Sequence, residues 1–162
     1  MSDNKKTAES NLRELTHTDK KGDVVMVDVG GKPILSRRAL ARGEILLDKK
    51  TIDLISSDGL KKGSVLTISK IAGIMAAKKT SDIIPLCHPL SLNVVNVELT
   101  VTDRGVISES YVSCNGVTGV EMEALNAVCA SLLTIYDMCK AVDKNMILSD
   151  IKLISKEKTI LP

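Results

Sequence analysis

From Leu92 onward the chain alternates. Val95, Val97, Leu99 and Val101 interleave with Asn96, Glu98, Thr100 and Thr102, the period of a half-buried strand. Asp103-Arg104-Gly105 reads as a turn, and Val106 to Cys114 returns as a second strand, which predicts a hairpin. Asn115-Gly116 marks another turn. Thr118 and Glu121 then have the spacing of a capping box, opening a long helix to about Val142. That helix is apolar almost all round between Ala124 and Tyr136, so it is expected to be central and buried. Upstream, Ser64 follows Gly63 as a helix cap, and Val65, Ile68, Ala72, Met75 and Ala76 keep a helical period up to Lys78-Lys79. Ser36 to Leu47 fits both periods; the interior Gly43 inclines it to strand. Val24 to Val29 is a short β-rich run, Asp48 can cap a short helix through Ile55, and a last strand is expected within Met146 to Ile154. Antiparallel strands with two main helices make an α+β layout.

The length of 162 residues suits one domain, and 44% hydrophobic with 26% charged residues suits an ordinary globule. With no Phe, no Trp and two Tyr, the core must be aliphatic. Aliphatic side chains bury less area each than aromatic rings, so association with further copies would add useful burial. Residues 1–22 are densely charged without a period and read as a flexible arm; residues 23–155 read as a single catalytic domain and 156–162 as a short tail. The net charge of +2 is dispersed, and no basic run carries interleaved aromatics, which argues against nucleic-acid binding. No apolar stretch approaches a membrane span, and the N-terminus lacks an apolar signal core, so the expected location is the cytoplasm. The four cysteines form no C-x-x-C pair and the two histidines, His17 and His88, are isolated, so neither a metal site nor disulfides are expected. Cys114 and Cys129 read as small buried hydrophobes.

Three stretches could carry chemistry. On the long helix, Glu123, Asn126, Thr134, Asp137 and Lys140 share a side, with Glu121 pointing almost opposite, as a capping residue would. Periodicity alone favours a solvated stripe, with Asp137 and Lys140 as an i,i+3 ion pair. Facing a cleft, the same pair would be a proton-transfer couple. Glu123 and Asp137 are separated by roughly 21 Å of helix at ~1.5 Å per residue, so one chain cannot bring both to one atom. Either the ligand is long or another subunit completes the site. In Ile84-Pro85-Leu86-Cys87-His88-Pro89-Leu90 the prolines hold His88 extended; Cys87 is read as packing rather than as a nucleophile. Lys61-Lys62-Gly63-Ser64 lies at a helix N-terminus, where a phosphate contact competes with a plain surface lysine pair.

Ala72 to Thr80, Ile84 to Leu90, Thr118 to Leu125 and Thr134 to Ala141 together, with Met26-Val27-Asp28-Val29, resemble the cyclic pyranopterin monophosphate synthase family of molybdenum-cofactor biosynthesis. The resemblance implies a ferredoxin-like α+β subunit, assembled as a homohexamer (a trimer of dimers) with sites at subunit interfaces. It implies a lyase needing no cofactor, which rearranges a cyclised dihydro-GTP to cyclic pyranopterin monophosphate and diphosphate. Carried over by motif, Asp137, Lys140 and Lys62 would be catalytic. Leu86, Cys87, His88, Glu121, Met122, Glu123 and Lys78 would bind substrate; for Glu121 this competes with capping. Lys79 stands where Arg is common, and the tail lacks the Gly-rich stretch of many relatives. The alternative is a non-catalytic nucleotide-binding or regulatory α+β domain.

Overall fold

The computed structural model describes residues 17–19, 21–57 and 64–161. Lys61 and Lys62 lie outside them. The order is β1 (Leu35–Leu46), α1 (Lys49–Ser56), α2 (Val65–Lys78), α3 (Thr80–Ile83), β2 (Leu92–Val101), β3 (Gly105–Gly116), α4 (Glu121–Cys139) and β4 (Ile147–Thr159). The sheet has strand order β2-β3-β1-β4, and every pairing is antiparallel. With α2 and α4 as its main helices, this is the expected α+β, ferredoxin-like arrangement. Among the described residues no helix is long and apolar enough to cross a membrane.

The alternation in β1 and β3 sorts their side chains by face. Ala39, Ala41, Gly43 and Ile45 on β1, and Val106, Ser108, Ser110, Val112 and Cys114 on β3, point inward and are buried. Arg42 and Glu109 meet on the open face at 3.1 Å. Helix α4 lies over the inner face with Ala124, Val128, Leu132 and Ile135 fully buried. The serines beneath it are satisfied: Ser110 Oγ donates to Ala124 O at 2.7 Å, and Ser108 Oγ and Ser131 Oγ lie 2.7 Å apart.

Helix α2 presents a different side than its large residues suggest. Val65, Ser69, Gly73 and Ala77 face inward, while Ile68, Ile71 and Met75 are 41%, 52% and 53% exposed. The reason is close helix packing: a Cβ on Gly73 would lie 2.9 Å from Ala127 O. Only small side chains fit that seam. The outer side of α4 is likewise exposed, at Cys129 and Leu133. Cys114 is buried as expected; Cys129 is not.

Local sequence signals met tertiary partners at several ends. Ser64 caps α2, its side chain accepting from Thr67 N. Asp48 is the N-cap of α1 but makes no side-chain cap bond. Its own N–H donates to Asp143 Oδ2 at 2.8 Å, and Asp143 Oδ1 accepts from Asn145 N at 3.0 Å. The run Val24 to Val29 forms no strand, only an isolated bridge between Val24 and Thr18. Strand β4 continues past Ile154 to Thr159, because Lys156 to Thr159 pair with Ala39 to Ser36.

Candidate active site

The start of α4 differs from the expected capping box. Val120 is the N-cap and makes no side-chain cap bond; Thr118 does not cap. The Glu121 carboxylate turns to β4 instead, where Oε1 accepts from Lys156 Nζ at 3.1 Å. The preceding loop is pinned by Arg37, whose Nε and Nη2 donate to Gly116 O and Val117 O at 3.2 and 3.1 Å.

Against this helix start lies a cavity of about 280 Å³. The Pro-rich segment after α3 contributes Leu86, Cys87 and His88; α4 contributes Glu121, Met122 and Glu123. A turn at Ile84, closed by Cys87 N donating to Ile84 O at 3.0 Å, carries the first group to the cavity. Six of the seven residues expected to bind substrate, all but Lys78, therefore line one cavity. The N-terminal segment supplies His17, Val27, Val29 and Lys32. His17 was unforeseen: its O accepts from Val25 N, and Asp19 Oδ1 accepts from Lys21 N and Asp23 N, folding the segment back. An Asp-to-Gly22 turn flanked by Thr18 and Val24 was the available signal. Both histidines of the chain thus line the same cavity.

Its electrostatics favour held protons. Glu123 is 4% exposed, and burial raises its carboxyl above the ordinary range, with the Glu121 charge adding to the rise. Burial also raises the Cys87 thiol, and Glu123 and Glu121 push the same way, so Cys87 stays a thiol rather than a nucleophilic thiolate. A second cavity, about 260 Å³, adjoins the first and is lined by Arg37, Arg38, Lys156, Glu157 and Lys158, with Gly119 and Glu121 shared.

The remaining expected site residues lie elsewhere. Lys78 lines a separate depression with Ile74, Leu90, Leu92, Asn93 and Val95, which shares Leu90 with the first cavity. Asp137 and Lys140 sit at the opposite end of α4, paired at 2.7 Å with both side chains largely exposed. The hydrogen bond from Lys140 to Asp137, and that carboxylate's charge, hold the ammonium above the usual lysine range. Asn126, the middle of the polar stripe, is engaged in packing: its Nδ2 donates to Ala76 O at 2.9 Å and to Thr80 Oγ1 at 3.2 Å.

Residues 26–159 match the MoaC family. The chain belongs to the MoaC family. Its relatives match it along nearly their whole length. The cyclic pyranopterin monophosphate synthase of Parvibaculum lavamentivorans is 51% identical over 146 residues, covering 89% of this chain and 91% of that protein. Those of Novosphingobium aromaticivorans and Heliobacterium modesticaldum are 52% and 53% identical, covering 90% and 88% of this chain and 92% and 91% of theirs. The MoaC-family match begins at Met26, so it takes in Val27 and Val29 at the cavity and stops short of His17.

Proposed function

We propose that this MoaC-family chain is a cyclic pyranopterin monophosphate synthase, a lyase of molybdenum-cofactor biosynthesis acting in the cytoplasm on a cyclised dihydro-GTP and releasing diphosphate. The observation that carries the reading is the cavity that gathers Leu86, Cys87, His88, Glu121, Met122 and Glu123, in a chain similar over about nine-tenths of its length to synthases.

Opening a purine ring, forming a pterin and closing a cyclic phosphate are proton transfers combined with phosphate positioning. Burial raises the Glu123 carboxyl above the ordinary range, so it gives up a proton less readily than a free glutamate and suits proton exchange with the substrate. His88 and Glu121 offer further hydrogen-bonding groups to the purine-derived rings. Lys140, kept as an ammonium by Asp137, serves as acid and as countercharge to departing diphosphate; Asp137 accepts the proton back. Lys62 and Lys78 complete the phosphate contacts.

Roughly 21 Å of helix separates Glu123 from Asp137 at ~1.5 Å per residue. We assign the Asp137–Lys140 end to the site of a second copy, in a homohexamer built as a trimer of dimers. The exposed Ile68, Ile71, Met75 and Leu133 supply apolar area for such contacts.

Incubation with the cyclised substrate should yield diphosphate and cyclic pyranopterin monophosphate. Asp137→Ala and Lys140→Ala should keep the fold and lose about 10²–10⁴-fold in rate, the usual range for general acid–base groups. Substrate binding without product from the wild type would instead identify a non-catalytic nucleotide-binding domain.

A further inference from the structure

We propose that Lys156 is a positioning residue, which with Gly119 holds the Glu121 carboxylate in the wall of the substrate cavity, where it accepts a hydrogen bond from an N–H or O–H group of the substrate. The inference deepens the reading above and depends on Glu121 lining the substrate cavity.

Glu121 and Gly119 are the residues common to both cavities, so this carboxylate is their shared wall. Its two oxygens are treated differently. Oε1 accepts from Lys156 Nζ at 3.1 Å. Oε2 is out of contact with water and has no hydrogen-bond partner among the described residues. A carboxylate oxygen left buried and unpaired is costly, and a small turn of the carboxylate onto a donor that arrives with a ligand removes the cost. The wall of an otherwise well-formed cavity is where such a vacancy has chemical use.

Two features hold the group there. Lys156 belongs to β4, where its backbone is paired with Ala39, so the ammonium is anchored on a strand rather than a loose tail. On the other side, a Cβ at Gly119 would lie 2.0 Å from Glu121 Oε2 and 3.0 Å from its carboxyl carbon. Any side chain at Gly119 would therefore evict the carboxylate from its place. The cation pulls on one oxygen, and the missing side chain makes room for the other.

The test uses Lys156→Met, Lys156→Arg and Gly119→Ala in the full chain, assayed for turnover of the cyclised dihydro-GTP. Losing one hydrogen bond corresponds to about a tenfold effect. Lys156→Met should raise KM about tenfold with kcat little changed, the signature of lost uniform binding. Lys156→Arg should restore KM, since a guanidinium also donates to Oε1. Gly119→Ala should raise KM with Lys156 intact. A purely structural Lys156 would lower the melting temperature and leave KM alone, and a wild-type KM in Lys156→Met overturns the proposal. Absence of turnover in the wild type refutes the synthase reading instead. In that case crystal structures decide the positioning role: Glu121 leaving Gly119 in Lys156→Met supports it, and an unmoved carboxylate overturns it.

Discussion

Replacing Asn126 by alanine tests whether the polar stripe of α4 is divided between scaffold and chemistry. The Nδ2 group of Asn126 reaches across to the end of α2, donating to Ala76 O and Thr80 Oγ1. Each such bond contributes about 1 kcal/mol net, so the pair contributes about 2 kcal/mol. No acceptor is orphaned by the change, because Ala76 O also accepts from Lys79 N, and Thr80 Oγ1 itself donates to Ala76 O and Ala77 O. The loss therefore stays near that sum. A chain of this size shifts by about 2–4 °C per kcal/mol, giving a fall of about 4–8 °C in Tm. Circular-dichroism melting at one fixed protein concentration measures it, since association makes Tm concentration-dependent. Asp137→Ala is the control on the same stripe: its carboxylate is 63% exposed, and Tm should stay within about 1–2 °C of wild type, as expected for a surface pair. Equal melting temperatures for Asn126→Ala and wild type, or a larger fall for Asp137→Ala, would refute the division.

The Glu123 carboxyl ionises less readily in the folded chain than in the unfolded one. The Glu123 contribution to stability should therefore decline as pH rises above about 4.3, the unfolded glutamate value, and level off above the folded one. Glu123→Gln should be the more stable protein at pH 7 in urea denaturation, with the gap closing towards pH 4; a gap independent of pH would contradict the burial argument. Asp143 is 1% exposed and accepts two backbone N–H groups. Hydrogen bonds to a charged acceptor contribute about 1.5–3 kcal/mol each, so Asp143→Ala should cost at least about 3 kcal/mol in urea unfolding; a loss below about 1 kcal/mol would show that water replaces both bonds.

The elements readable in the sequence were those specified by neighbours in the chain. The β2–β3 hairpin, the alternation of β1 and the cap at Ser64 all depend on residues a few positions apart. What escaped depends on distant partners. The Thr118–Glu121 capping pattern was present, yet Lys156 on β4 takes the carboxylate that the cap required. The polar run Lys156 to Thr159 looked like a tail because its strand character comes from pairing with β1. The apolar girth of α4 suggested complete burial, but Leu133 is 60% exposed. The candidate site was legible in the same measure. The Pro-flanked segment and the start of α4 stood out as motifs and meet at the cavity, whereas His17 arrives there through a turn in a segment that looked featureless.

Strand β1 lies between β3 and β4, both of which come much later in the chain. Its pairings Leu35↔Gly116 and Ser36↔Thr159 close very large loops, whereas Val101↔Val106 closes a tight one. Loop-closure entropy must be overcome before such distant pairings contribute, so topology predicts slow folding, with the β2–β3 hairpin formed early and β1 inserted late. Arg37, which pins the loop ahead of α4, is carried on that late strand. Lys156 reaches Glu121 only when β4 has docked beside it. The cavity wall is thus assembled in the closing act of folding, and a chain that has not threaded its central strand has no site to offer.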